Sequence, residues 1–334
     1  MRHGQRTIQE AIAVFDLFDA AKFQISLAEG FQPVKFAETT FGQLEAFRNR
    51  LPQGVWERVI AGQLEIVVEG DKAIVVEKAL PFFDHTGRRI PQGLKAKVVD
   101  PDRSFHLVQP EKIDYFERLC RLADAFQVQA ADSSSARFFE DQAQGILDGL
   151  HRDERLAGLT KAVWLPIMIL QIDAISDYGS TIEQSLIPAV ESSYKKEFSG
   201  RTFTNHRKND LARKVKVVDD SHARLVADLA KGQVIGVYFP NALQGFSITA
   251  DREQISGLPD FVSLAGGVDT LTGLTMYPDV LARDQHTPGL DMAALQWQSR
   301  GYSLSAKAYD GRLEFDRSRV AACGYYSGGL FVRR

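Results

Sequence analysis

The stretch YSLSAKAYDGRLEFDRS, residues 302–318, carries the clearest structural signal in the chain. Apolar and polar residues alternate on both sides of Asp310-Gly311, and Asp-Gly is a dipeptide that two-residue hairpin turns favour. The stretch therefore predicts two antiparallel strands, 302–309 and 312–318. A final strand around residues 323–332 is expected to complete a C-terminal meander.

Two similar patterns lie earlier in the chain. LEIVVEG and KAIVVEK (residues 64–78) are β-branched runs that meet at Gly70-Asp71. LKAKVVD and SFHLVQP (residues 94–110) flank the turn-forming residues 101–103. Runs of this composition around turn residues predict hairpins. Residues 64–110 are therefore expected to form a small antiparallel sheet.

Helical spacing of apolar residues appears on either side of these hairpins. It predicts short helices within residues 8–18 and 41–47, and a series of central helices over 111–198. Residues 164–175 are included among the helices, because Pro166 would remove a hydrogen-bond donor from a central strand. The expected fold class is α+β, with N-terminal helices and hairpins, central helices, and a C-terminal mixed α/β segment ending in an antiparallel meander.

The length of 334 residues predicts about two domains. We place an α+β region at residues 1–200 and a mixed α/β region at 201–334. In the second region, the pattern of strand, helix and buried strand over residues 213–239 is that of a βαβ unit.

Composition excludes several classes of protein. Forty Lys and Arg residues against 43 Asp and Glu give a net charge of −3, so the chain is not basic throughout as a nucleic-acid packaging protein would be. Two cysteines far apart indicate a reducing compartment, and a cytoplasmic location is expected. No apolar run approaches the ~20 residues that a membrane span needs. No motif predicts a cofactor.

The sharpest change in composition is the basic segment, residues 195–216. It contains eight Lys and Arg residues against two acidic residues, a net charge of +6. Between the charged residues lie the aromatic residues Phe198, Phe203 and His206. Such a mixture of basic and aromatic residues can bind nucleic acid by stacking and phosphate pairing. A solvated linker is the alternative. The predicted ligand-binding residues are Arg201, His206, Arg207, Lys208, Arg213 and Lys214.

Gly266-Gly267 forms the most informative loop. If a strand ends there and a helix begins, the loop amides form an anion site, with Gly266 and Gly267 as ligand-binding residues. A tight Gly-Gly hairpin is the alternative. In the first case Asp219 or Asp269 is a candidate general base and Asn241 an orienting donor. Scattered Asp and His pairs do not have ligand spacing, so no metal site is predicted.

These observations lead to two hypotheses about function. The first is a non-catalytic binding or assembly protein that contacts a polyanion through residues 195–216. Its expected partners are another protein, a second copy of the chain, or nucleic acid or another polyanion, because hairpin edges can add strands across an interface. The alternative is an enzyme that acts on an anionic or phosphorylated small molecule at loops within residues 213–284.

Overall fold

The computed structural model describes residues 22–26, 48–49, 55–60, 64–69, 72–77, 81–129, 131–173 and 175–333. Contacts divide the chain into two units, Met1–Leu80 and Pro81–Arg334. Among the described residues, no helix is long and apolar enough to cross a bilayer.

The described part of the first unit is a small antiparallel sheet with one short helix. Its elements are β1 (Lys22–Ser26), α1 (Val55–Ile60), β2 (Leu64–Glu69) and β3 (Lys72–Glu77), with strand order β1-β3-β2. The pairing of Glu69 with Lys72 leaves a two-residue connection, so the hairpin predicted at Gly70-Asp71 is confirmed. The helices predicted within residues 8–18 and 41–47 lie outside the described residues.

The second unit combines helices with a large mixed sheet, and the predicted α+β class is confirmed. Its helices are α2 (Tyr115–Phe126), α3 (Ser133–Arg152), α4 (Tyr178–Thr181), α5 (Ile187–Glu197), α6 (Asp220–Leu229), α7 (Ile248–Ile255), α8 (Gly267–Met276) and α9 (Pro278–Leu281). Its strands are β4 (Leu165–Ile169), β5 (Thr202–Asn205), β6 (Val215–Val217), β7 (Val234–Gln244), β8 (Val262–Leu264), β9 (Gly289–Asp291), β10 (Leu295–Trp297), β11 (Tyr302–Tyr309), β12 (Arg312–Arg319) and β13 (Tyr326–Arg333).

The large sheet has the strand order β4-β7-β13-β9-β11-β12-β5, and β8 also pairs with β13. β11 and β12 pair antiparallel from Tyr302 opposite Arg319 to Tyr309 opposite Arg312, which confirms the hairpin predicted at Asp310-Gly311. The final strand β13 lies inside the sheet, antiparallel to β7 and parallel to β9. Among the described strands, β4 and β5 are the two edges of this sheet.

Two apolar cores stabilise this unit. One core joins Phe139 of α3, Ile182, Tyr194 of α5 and Leu271 of α8 with Phe315 of the sheet. The other is built from side chains of β7, β8 and β13, of α3 and α7, and of the segment before α2. Tight packing of both cores positions the polar groups described below.

The hairpin predicted over residues 94–110 is wrong, because these residues contain no strand. Val98 makes a single bridge to Phe246, and Val99 N donates to the carbonyl of Gly245. His106 N donates to the carbonyl of His286. The backbone of this segment thus forms hydrogen bonds with distant loops. The turn residues within the segment do not reveal such contacts.

The helix predicted over residues 164–175 is also wrong, because Leu165–Ile169 forms edge strand β4. Pro166 lies opposite Val237 of β7, and its carbonyl accepts from Tyr277 Oη at 2.8 Å. The backbone of Pro166 therefore points away from β7, where the missing N–H costs no ladder bond. Proline is tolerated in edge strands for this reason.

One prediction about the C-terminal half differs from the structure. The βαβ unit over residues 213–239 is wrong, because β6 pairs with β10 in a separate two-stranded sheet rather than with β7. Strands β4 and β7, which lie on either side of residue 200, belong to one sheet, and the division by contacts comes after Leu80.

Candidate functional site

The basic segment forms the end of α5, edge strand β5 and the turn that leads to β6. β5 pairs with β12 in parallel, from Thr202 opposite Arg312 to Asn205 opposite Phe315. The segment is therefore built into the large sheet and is not a linker between two units.

Many cations of the segment have partners in the structure. Lys195 and Lys196 pair with Glu191 and Asp124. Arg201 donates to the carbonyl of Arg283 and stacks over Phe198, 4.0 Å from the ring centre. Lys214 pairs with Asp210, and Arg207 with Asp210 and Asp316. His206 Nε2 lies 3.6 Å from Glu314 Oε2.

Two arginines lie against Trp297, and further cations belong to the turn after β5 and to β6. The guanidinium groups of Arg207 and Arg317 lie 5.2 and 5.8 Å from the Trp297 ring centre. Asp210 joins Arg207 to Lys214, and the indole N–H of Trp297 donates to the Asp210 carbonyl. We call this group the basic surface: Arg207, Lys208, Arg213, Lys214, Lys216 and Arg317.

The side chains of Lys208, Arg213, Lys216 and Arg317 are exposed and have no ion-pair partner among the described residues. The sequence reasoning missed Arg317, because β12 is more than 100 positions away along the chain. Its position next to Arg207 follows from the pairing of β12 with β5.

Beside the basic surface, β5 presents an open backbone edge. Thr202 N and His206 N donate to carbonyls of Gly311 and Phe315, on the β12 side. Because successive residues of a strand direct their backbone groups to opposite sides, Phe203 and Asn205 direct theirs away from β12. In the described part of the chain, the backbone groups of these two residues have no partner.

The Gly266-Gly267 loop connects a strand to a helix, because β8 ends at Leu264 and α8 begins at Gly267. The alternative of a Gly-Gly hairpin is thereby wrong. Gly266 N donates to Asp269 Oδ1 at 2.8 Å, and Val268 N donates to Tyr178 Oη at 3.1 Å. A Cβ on Gly266 would lie 2.4 Å from the His222 ring. The side chains of Asp269 and Tyr178 thus accept amides at the start of α8, where the sequence predicted an anion.

His222 is the centre of a buried cluster formed with Tyr178 and Asp269. Its Nε2 lies 2.7 Å from Tyr178 Oη, and its Nδ1 lies 3.7 Å from Asp269 Oδ2. Because Tyr178 Oη accepts from Val268 N, we infer that its own proton goes to Nε2 and that Nδ1 carries the ring proton. Burial lowers the pKa of His222, which favours this neutral form.

The predicted acid–base residues have different surroundings. Asp219 accepts from the amides of Ser221 and His222 at the start of α6, the ordinary role of an N-cap. Burial raises the pKa of Asp269, which accepts two amides. Asn241 accepts from Val163 N, before β4. Asp219 and Asp269 thus flank His222, whereas the Asn241 side chain is bonded elsewhere.

A second buried acidic pair, Asp251 and Asp291, gave no signal in the sequence. Gly328 lies opposite Asp291 in the sheet, and a Cβ on Gly328 would lie 2.4 Å from Asp251 Oδ2. Both carboxyl oxygens of Asp251 and Oδ1 of Asp291 have no hydrogen-bond partner among the described residues. Burial raises the pKa of Asp251, as does the charge of Asp291, and burial raises the pKa of Asp291 to about 7.

Tyr178→Phe is expected to lower the free energy of unfolding by about 2 kcal/mol, because it leaves Val268 N–H and His222 Nε2 without partners. Tyr277→Phe is the matched control. It removes one hydrogen bond, to the Pro166 carbonyl, and should cost about 1 kcal/mol. Urea unfolding of both variants measures the difference. An equal or smaller loss for Tyr178→Phe would contradict the proposed role of its hydroxyl.

Within the described residues, no group of three or more His, Cys, Asp or Glu side chains is arranged to hold a metal ion. A shallow concavity lies beside α6, where Arg224 pairs with Asp260, and Lys231 and Arg333 pair with Asp228. No protein family, curated protein or solved structure matches the chain. Arguments about function therefore start from the geometry of these sites.

Proposed function

We propose that this protein is a non-catalytic binding protein that holds an anionic partner on its basic surface. The observation that carries the proposal is the group of four exposed cations, Lys208, Arg213, Lys216 and Arg317, without ion-pair partners in the described part of the chain. Cations that lack internal partners can pair with an anionic ligand without first breaking a salt bridge.

The other cations of the surface support the same function. Lys214 is exposed and its pair with Asp210 lies at the surface, where ion pairs contribute little to stability. Arg207 is held between Trp297 and Asp316, which orients its guanidinium. An approaching anion therefore meets both exposed and pre-oriented cations, a combination that favours attraction over a broad surface.

The buried clusters support the enzyme hypothesis less well than the basic surface supports the binding hypothesis. Tyr178, His222 and Asp269 resemble a proton relay in composition, but at most 6% of any of these residues is exposed. A substrate would have to displace the helix cap that Tyr178 provides for Val268. Active-site groups normally line a concave pocket that the substrate can enter.

The double variant Lys208→Glu/Arg213→Glu tests the proposal. Wild-type protein is expected to bind heparin at ~0.1 M salt, with log K falling by about 0.7–0.9 per contact against log salt. The variant should elute at lower salt and reduce this slope by roughly two contacts. Its free energy of unfolding should change by less than about 0.5 kcal/mol, since both side chains are exposed.

Arg103→Glu/Lys112→Glu is the matched control. Both residues are exposed, lie outside the basic surface and have no ion-pair partner among the described residues. It makes the same change in net charge, and heparin elution should shift much less than for Lys208→Glu/Arg213→Glu. Equal shifts would show that only net charge matters. Wild-type protein that passes unretained through heparin at ~0.1 M salt would overturn the proposed function.

A further inference from the structure

The open edge of β5 and the basic surface are continuous along the chain. The unpaired backbone groups belong to Phe203 and Asn205, and Arg207 and Lys208 follow directly. A ligand that lies along the edge and continues past Asn205 therefore reaches the cations. Such a ligand needs backbone hydrogen-bonding groups at strand spacing and negative charge.

The phenylalanines of the basic segment and the neighbouring Trp297 are not available as a stacking platform for nucleic acid. Phe198 is covered by Arg201 and packs edge-on against Tyr194. Phe203 is partly buried against the core below the sheet. Trp297 is 3% exposed and lies against Arg207 and Arg317. Binding of single-stranded nucleic acid usually depends on exposed rings that stack on bases.

The acidic residues near β5 already have partners within the protein. Glu314 pairs with Arg312 and lies close to His206, and Asp316 pairs with Arg207. Both acids belong to β12, on the side of β5 opposite to the open edge. Glu183 and Asp177 lie further along the segment, where they accept from the amides of Asn209, Leu211 and Arg213. A ligand that continues past Asn205 thus meets the unpaired cations Lys208 and Arg213 next to carboxylates that already bind backbone amides.

We propose that β5 binds an acidic, extended peptide segment of a partner protein by strand addition, with the peptide acids on the basic surface. The proposal rests on the proposed function and names its partner class. Strand addition pairs peptide backbone with an open sheet edge, and side-chain pockets or charges supply specificity. Here the N–H and C=O groups of Phe203 and Asn205 pair with the peptide backbone, and Lys208 and Arg213 pair with its carboxylates.

A short end-blocked peptide of alternating glutamate and threonine is the probe. Its matched control carries N-methyl groups on alternate amides, which keep the charge but prevent pairing with an open edge. Binding of both peptides and of heparin to the full chain is measured by titration calorimetry at low and at physiological salt. Amide hydrogen exchange at Phe203 and Asn205 is followed with and without the unmodified peptide.

The unmodified peptide is expected to bind at least about tenfold more tightly than the N-methylated peptide and to slow exchange at Phe203 and Asn205. Its affinity should fall in Lys208→Glu/Arg213→Glu and with rising salt. Equal affinity of the two peptides, with heparin still bound, would overturn strand addition and leave the proposed function intact. Failure of heparin and of both peptides to bind would overturn both proposals.

Self-association through the same edge gives a different result. A chain that is dimeric by light scattering, with amides of Phe203 and Asn205 protected before any peptide is added, would overturn the acidic peptide as occupant in favour of a second copy. A monomer with fast exchange at both amides that becomes protected on peptide addition supports the proposal.

Discussion

Replacing Gly266 by alanine is expected to lower the free energy of unfolding by about 3 kcal/mol or more. The added Cβ would lie 2.4 Å from two atoms of the His222 ring, Cε1 and Nε2. The ring cannot move away cheaply, because it is fully buried and Tyr178 Oη is bonded to Nε2. The backbone cannot retreat either, since Gly266 N is held by Asp269.

Gly149→Ala is the matched control for this substitution. Gly149 lies within α3, is exposed, and would place its Cβ in open space. Alanine in an exposed helix interior should raise the free energy of unfolding by about 0.5–1 kcal/mol. Urea unfolding measures both variants. A Gly266→Ala protein as stable as wild type would show that His222 does not pack against this loop.

Hairpins were predictable where a turn determines the pairing. Asp310-Gly311 and Gly70-Asp71 connect strands that are neighbours in sequence, so local chemistry contains the whole signal. Residues 94–110 have comparable turn residues but bond to Gly245 and His286 instead. Such contacts depend on tertiary packing, which a short stretch of sequence does not reveal.

Pro166 illustrates the same limit for a single residue. Its missing donor argues against a central strand, but the sequence does not state that β4 is an edge or that Tyr277 bonds to its carbonyl. Helix α2 provides a second case, because residue type alone predicts a buried Phe116 and an exposed Arg118. Phe116 is 46% exposed while Arg118 is buried between Asp279 and the Tyr277 ring.

The candidate sites were predictable in part. The sequence singled out the basic segment and the two aspartates on either side of His222, Asp219 and Asp269, each from local composition. Tyr178 and Arg317 join these groups only through the fold. Asp251 and Asp291 could not be found, because a single aspartate in an ordinary helix or strand does not indicate that its partner lies across the sheet.

Asp291→Asn is expected to remove a strong pH dependence of stability. Burial raises the pKa of Asp291 from its usual 3.8 to about 7 in the folded protein. Between these two pH values, folded protein keeps a proton that unfolded protein has lost. The contribution of this group is therefore fully present below pH ~4, falls as the pH rises, and is gone above pH ~7, a loss of about 4 kcal/mol.

Asp251 adds to the effect with the same sign. Burial, together with the charge of Asp291, raises its pKa well above the usual value. The charged form of either carboxyl disfavours ionisation of the other, so the pair resists charge more strongly than one group alone. Wild-type stability should consequently decline toward neutral pH instead of reaching a broad maximum there.

Thermal unfolding of wild type and Asp291→Asn at intervals from pH 4 to pH 8 measures the effect. Asparagine does not titrate, so the stability of the variant relative to wild type should increase steadily across this range. Asp132→Asn is the matched control, because its difference from wild type should stay constant from pH 4 to pH 8. Hydrogen bonds from Ser135 and Ser134 lower the pKa of the exposed Asp132 to about 2, so its contribution is lost as the pH falls below ~4. If Asp291→Asn and wild type keep a constant difference from pH 4 to pH 8, Asp291 is ionised in the folded protein, and its carboxylate must then have a partner that compensates its buried charge.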